Sequence, residues 1–390
     1  MTGGHTMEAR AGMKARAACL AVGMWGLQVV LLPAVVRAQE PPDEPLRPRV
    51  ELLFADPMAL PGEVDSNSPA VWALADGRVR LKVFTSTAGI PSVSEGFRIR
   101  RMGPAEPVTI INPPGHGVWF EAVVADEHDV WYALYHNEIP SERCERLDRN
   151  QPQVGLMRSE DQGATWTSLG IILRARPERV ACGTGNSYFV GGIGDISAVL
   201  NEDRTDLYIF FSQYSPNPSG QGVSVARLPW AHRDDPMGRV DVWVDGIWQV
   251  PEVIDGPGVD DPANTVFAFP EGTALFPTER PWHDDDPGGD AFWGPSLHWN
   301  THLGQWVMLL NRTLDDDWSQ DGVYVSFSPT LDDPTQWTPP ERIIEGGMWY
   351  PQVIGLEPGE GTDTRAGETA RLFVGGRSSF LIRFVRPGER

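Results

Sequence analysis

Lysine is nearly missing from this 390-residue chain: Lys14 and Lys82 are present, and arginine carries the remaining positive charge. Lys and Arg together number 32 against 53 Asp and Glu, a formal net charge of −21. So acidic a protein is repelled by nucleic acid and anionic lipid, which excludes binding to either through bulk charge. Cysteine is scarce as well, with three residues. No apolar run long enough to span a membrane follows the N-terminal one. No long 3.6-residue apolar period stands out, which leaves little room for helices. The H-E-x-x-H, P-loop and G-x-S-x-G patterns are absent, so zinc-protease, NTPase and α/β-hydrolase chemistry have no support.

The N-terminus reads as a secretory signal over residues 1–38. Arg10, Lys14 and Arg16 precede an apolar run from Ala17 to Val36, and Val36-Arg37-Ala38 offers a small-residue cleavage site before Gln39. An uncleaved anchor is the alternative, and Gly23, Gly26 and Pro33 interrupt the run against it. Cleavage implies a secreted or periplasmic protein with no membrane attachment and a net charge of about −24. Cys144 and Cys182 survive it. In an exported chain such a pair reads as a disulfide rather than a metal site. Its loop of about 38 residues would be worth roughly 3–4 kcal/mol on the chain-entropy account.

What the chain has in abundance is Gly (41) and Pro (35), set between short alternating runs. That is the pattern of an all-β chain. Five segments share a short apolar core: Ser68-Pro-Ala-Val-Trp72, Phe120-Glu-Ala-Val-Val124, Ile196-Ser-Ala-Val-Leu200, Gly294-Pro-Ser-Leu-His298 and Tyr350-Pro-Gln-Val-Ile354. Each precedes a turn and further strands. In the first unit these are expected at 79–84, 97–102 and 108–112. The expected fold is a five-bladed β-propeller with blades at 63–113, 114–175, 190–250, 291–346 and 347–390. An N-terminal strand at 49–56 would close the ring. A two-sheet sandwich is the alternative.

Residues 251–290 form a Pro-rich acidic insertion with Asp255, Asp260, Asp261, Asp284, Asp285, Asp286 and Asp290. Calcium is conceivable there, although no D-x-D-x-D-G spacing supports it. Ser159-Glu-Asp161-Gln-Gly163-Ala-Thr165-Trp166 matches S-x-D-x-G-x-T-W, the Asp box. It resembles the repeat of sialidases and other propellers. There it is a structural turn between a blade's third and fourth strands, away from the catalytic face.

In a propeller the starts of the inner strands and the ends of the second strands meet on one axial face. The former bring Asp65, Asn67, Trp119, Glu121, Asp195, Trp293, Trp349 and Tyr350. The latter bring His136, Asn137, Glu138, Gln213, Tyr214, Asn311, Arg312 and Arg377. Tryptophan faces with carboxylates and amides suit a carbohydrate. Arg312 and Arg377 could meet a substrate carboxylate or pair with local Asp315 and Asp316.

This layout resembles the five-bladed glycoside hydrolases of the arabinanase and β-xylosidase type. The resemblance implies a base Asp on blade one, matched by Asp65 or Asn67. It implies a pKa-setting Asp on blade three, matched by Asp195. The acid Glu of the family's E-G-P motif falls at Trp293-Gly294-Pro295, where tryptophan replaces it. Glycoside hydrolysis uses two carboxyl groups, so Glu121, with Glu138 in reserve, is the expected acid. The alternatives are a non-catalytic sugar-binding propeller and a cell-surface interaction platform. No organic cofactor is implied.

Overall fold

In the computed structural model, the described residues are 47–390 save 76, 281, 284–288, 316 and 390. The expected signal segment lies outside them, as do Asp284, Asp285, Asp286 and Asp316. Strands and short 3₁₀ turns make up the described elements.

Five antiparallel sheets follow one another along the chain and form a five-bladed β-propeller. Blade 1 runs Ala70–Ala75, Arg78–Thr87, Ile90–Gly96 and Glu106–Pro107 from the inner strand outward. Blade 2 runs Gly117–Ala125, Trp131–Ser141, Arg146–Ser159 and Thr165–Arg174. Blade 3 runs Ile193–Leu200, Asp206–Tyr214, Gln221–Pro229, Asp241–Val244 and Ile247–Gln249. Blade 4 runs Phe292–Asn300, Gln305–Thr313, Gln320–Ser328 and Glu341–Glu345. Blade 5 runs Pro351–Gly355, Thr369–Val374 and Arg377–Val385, and the N-terminal strand Arg49–Ala59 completes it antiparallel to the last. Pairing first and last strands in one sheet removes the open edge that an unclosed ring would leave.

Period-two alternation supplies each blade with two apolar faces, and neighbouring blades bury them together. Phe84, Phe120, Trp131 and Trp166 pack between blades 1 and 2. Leu134, Leu156, Ile196 and Ile209 pack between blades 2 and 3. Leu81, Val83, Ile354 and Phe373 seal blade 5 against blade 1. Burying each such side chain stabilises by roughly 1.5–3 kcal/mol.

A second repeating device stitches the blades near the axis. At each junction a backbone N–H at the start of one inner strand donates to a side chain of the preceding blade. Phe120 N donates to Ser86 Oγ at 2.9 Å, Ile196 N to Glu121 Oε2 at 2.6 Å and Gly294 N to Ser212 Oγ at 2.9 Å. Tyr350 N donates to Asn311 Oδ1 at 2.9 Å, and Ser68 N to Gln352 Oε1 at 2.6 Å. Four of the five acceptors are neutral. Glu121 is the carboxylate among them.

The Ser159–Trp166 turn is held by its own side chains. Asp161 accepts from Thr165 N at 2.8 Å and Thr165 Oγ1 at 2.7 Å, and Trp166 Nε1 donates to Gly163 O at 3.0 Å. Gly163 has φ +85°, where a side chain would be strained, and a Cβ there would press on Phe84. Trp166 is thereby seated in the core between blades 1 and 2.

Blade 1 departs from the sequence reading. Its third strand is Ile90–Gly96 rather than 97–102, because Ala88 and Gly89 both take positive φ and close a tight hairpin after Thr87. The segment expected as its fourth strand splits. Glu106–Pro107 pairs within blade 1, while Thr109–Ile111 runs parallel to Thr165–Thr167 on the outer edge of blade 2. The acidic insertion carries a hairpin of its own, Glu252–Asp255 against Val266–Ala268.

Candidate functional site

The inner strands reach the axis irregularly. Pairing slips between Phe120 and Ala122, between Gly194 and Ile196, and between Trp293 and Ser296. Each slip is a bulge that re-aims one side chain, and two of them turn Glu121 and Asp195 inward. Asp195 has φ +41° and Tyr350 φ +56°, left-handed values that cost a non-glycine residue about 1–3 kcal/mol. Gly194 lets the strand pass under His136, since a Cβ there would sit 2.7 Å from the imidazole.

These distortions build one polar cluster. Asp195 is buried and accepts from both Tyr350 Oη, at 3.2 Å, and Tyr214 Oη. His136 Nδ1 lies 3.2 Å from Glu121 Oε1 and 3.8 Å from Asp195 Oδ1. His136 Nε2 lies 3.7 Å from Glu138 Oε1. Burial pulls the imidazole down, but hydrogen bonds and charge from Asp195 and Glu121 outweigh it and hold His136 well above its usual range. Burial raises Glu121 despite its bond to His136, and burial also raises Glu138.

Above the cluster is a narrow recess of about 80 Å³. Asp65, Glu138 and Asp195 line it together with Trp119, Trp293 and Trp349. Burial, then the charge of Asp195, pushes the Asp65 carboxyl up to about 6. Two loops roof the recess. Tyr188 and Phe189 come from the segment between blades 2 and 3, and Trp318 from the second hairpin of blade 4. Phe189 stacks on Tyr214 at 4.5 Å, Tyr188 meets Trp318 at 6.3 Å, and Ser187 Oγ donates to Asp317 Oδ1 at 2.8 Å. The indole N–H groups of Trp293 and Trp318 are buried without an acceptor. Such donors are costly to leave unmade, and they suit a ligand rich in acceptors.

Several residues expected to meet a ligand are spent on the scaffold. Asn67 Nδ2 bonds the carbonyls of Ile196 and Pro295, both at 2.8 Å, and so plugs the axis. Asn137 bonds Gly115 and Gly117, Asn311 stitches blade 5, and Gln213 clamps Gly272 of the insertion. Arg312 faces Asp321 at 3.5 Å and Asp290 at 4.0 Å, rather than Asp315. Arg377 is exposed on the strand beside Ala59, away from the recess. Glu121, expected as an acid, does not line the recess, because the Ile196 amide and His136 occupy its oxygens. Sequence reasoning missed Tyr188, Phe189 and Trp318. They stand in loops with no strand pattern, and the signal available was aromatic residues in polar connections.

Cys144 and Cys182 form a disulfide with Cα atoms 5.1 Å apart. It joins the hairpin after Ser141 to the segment that delivers Tyr188 and Phe189.

Glu121, His136 and Asp195 each offer one ligand atom, all within 4.8 Å of one another. One nitrogen and two oxygens can hold a divalent cation once His136 gives up its proton. Among the described residues the acidic insertion brings no comparable group together. Asp290 there accepts instead from the amides of Glu279, at 3.1 Å, and Arg280, at 2.9 Å.

No family model matches the chain, and no curated protein matches it. Among solved structures, an endo-arabinase from Bacteroides thetaiotaomicron is similar at 10% identity and a TM-score of 0.46, covering 84% of this chain and 95% of that one. An arabinanase from Bacillus subtilis is similar at 12% identity and 0.44, covering 84% and 96%. An exo-β-1,3-galactanase from Phanerochaete chrysosporium, solved with galactose, is similar at 10% identity and 0.43, covering 86% and 64%. Likeness this distant assigns no residue a role, and the fold rests on the strand pairing itself.

Proposed function

We propose that the chain is an exported, glycoside hydrolase-like enzyme and that the axial recess is its active site. The observation that carries this reading is the convergence of Asp65, Glu138 and Asp195 on one tryptophan-lined recess. Asp65, expected from the sequence as the base, is pushed up to about 6 and serves instead as the general acid that protonates the leaving glycosidic oxygen. Glu138 is the base. Burial raises its carboxyl and so strengthens it as a base, against His136 alongside and Asn150 Nδ2 donating at 2.7 Å, which favour the charged form. It takes a proton from the water whose oxygen bonds the anomeric carbon, as the bond to the leaving oxygen breaks. Asp195 orients the cluster through its two tyrosines and His136. The disulfide and the basic-then-apolar N-terminus support export.

Ligand pockets usually enclose about 300–1,000 Å³. The closed recess is far smaller, so a sugar enters only when Tyr188 and Trp318 part. That size also favours a second reading, a sugar-binding propeller without catalysis. A hydrolysis screen over aryl glycosides and polysaccharides separates the two. Asp65→Asn and Glu138→Gln should each cost roughly 10²–10⁴-fold. Activity that survives both changes would remove the assignment. The rate should fall as pH rises through about 6, where Asp65 loses its proton.

A further inference from the structure

A second concavity lies on the rim of blade 2, outside the recess. It measures about 770 Å³, within the range of sugar-sized pockets. Arg143, Arg174 and His116 line it, and no carboxylate does among the described lining residues. In a chain of net charge −21 that is an unusual stretch of surface.

The two arginines are also free of partners among the described residues. Close by in the chain, Arg149 pairs with Asp148 at 2.9 Å, Arg176 with Glu252 at 3.1 Å and Arg179 with Glu271 at 3.4 Å. Arg143 and Arg174 make neither an ion pair nor a hydrogen bond among the described residues. Arg174 is moreover half-buried. Arg143 is exposed, and neither guanidinium is among the buried polar atoms without a partner, so both are open to a ligand anion.

The groove is built, and it adjoins the proposed site. Pro140 and Pro152 stiffen its walls. Arg143 precedes Cys144, whose disulfide to Cys182 fixes that hairpin against the segment running on from Arg174. Glu138 lines the recess, while Ile139 and Pro140, next along the same strand, line the groove. A chain leaving the recess past Glu138 would therefore run onto the arginines.

We propose that this groove binds an acidic segment of a glycan, with Arg143 and Arg174 holding carboxylate or sulfate groups carried on the sugars. The proposal extends the active-site reading, but its test does not depend on turnover. Binding of the whole chain to polygalacturonate, to a sulfated galactan and to a neutral glucan is measured at low and high salt. Either acidic polymer should bind at low salt, weaken at high salt, and bind at least tenfold less to the double variant Arg143→Gln, Arg174→Gln. Polygalacturonate binding assigns carboxylate and sulfated-galactan binding assigns sulfate. Arg78→Gln with Arg98→Gln removes the same charge from exposed positions on blade 1 and should leave binding unchanged. Equal loss in both double variants would reduce the effect to bulk charge and overturn the groove. So would unchanged binding in the groove variant, or no binding of either acidic polymer. If binding behaves as expected while no glycan is hydrolysed, the enzyme reading fails alone.

Discussion

The inner strands begin in one chemistry and end in another. Their starts bring Asp65, Trp119, Glu121, Asp195, Trp293 and Tyr350 to a closed recess and the cluster beneath it. Their ends bring Ala125, Leu200 and Trp299 to an open funnel of about 530 Å³. The larger cavity is at the ends, yet the buried carboxylates Glu121 and Asp195 are at the starts. Bulges and the left-handed Asp195 and Tyr350 occur where the strands enter. The ends follow ordinary strand rules. The contrast teaches that volume alone does not locate a site. Strain and buried carboxylates held in place by a rigid ring do so better.

The largest expected effect comes from disarming the starts. Asp195→Asn leaves one acceptor oxygen for the two tyrosines and removes a charge beside His136. Hydrolysis should fall on the order of 10³-fold, about 4 kcal/mol of barrier. Loss of the Asp195 charge and hydrogen bond removes two of the causes that hold the imidazole titration up. NMR should therefore show the His136 pKa falling toward its usual value. A variant with full activity and an unmoved His136 would erase the distinction between the two ends.

The next effect tests the roof over the starts. Replacing Cys144 and Cys182 together by serine opens a loop whose ends are 38 residues apart. Roughly 3–4 kcal/mol of stability should be lost in denaturant unfolding. The Tyr188 and Phe189 segment should also exchange its amides faster than the blade strands do. Uniform exchange across the molecule would mean that the bridge does not govern the roof.

Much of the ring was legible in the sequence because it rests on local pattern. The five short apolar segments mark inner strands, and Ser159–Trp166 falls at the turn between the third and fourth strands of blade 2. Blade 1 was misread at Ala88-Gly89, because a two-residue turn at positive φ needs only one glycine and looks like strand. The site was less legible. Asp65, Glu138 and Asp195 could be placed on a face by strand order. Which polar groups stay available depends on partners distant in the chain. Asn67 is 129 positions from Ile196, whose carbonyl it holds, and Glu121 is 75 positions from the amide it accepts. Strand pattern carries no record of such pairings.

A smaller effect comes from the far part of an inner strand. His298 on blade 4 is fully buried, neither ring nitrogen has a partner, and burial lowers its pKa to about 3. A depressed folded-state pKa means the neutral imidazole is tolerated and the charged one is not. Its contribution is intact above the unfolded value of about 6.5 and is lost as pH falls from there toward 3. Between pH 7 and pH 5, wild type should lose about 2 kcal/mol more stability than His298→Leu does. Parallel loss in the two proteins would show that His298 is accessible to water. It would then resemble the wet starts more than the dry strand body.

The smallest expected effect is none, and it bears most directly on the contrast. Glu202 is an exposed carboxylate on the lip of the funnel. If cavity size located chemistry, Glu202 beside Arg204 and Trp299 would be the acid to remove. Burial raises the carboxyls of Asp65, to about 6, and of Glu138, as the proposed proton transfer requires. Glu202→Gln should therefore leave the hydrolysis rate, its pH profile and the His136 titration unchanged, while Asp65→Asn alters the first two. A tenfold loss from Glu202→Gln would move the active site to the other end of the axis.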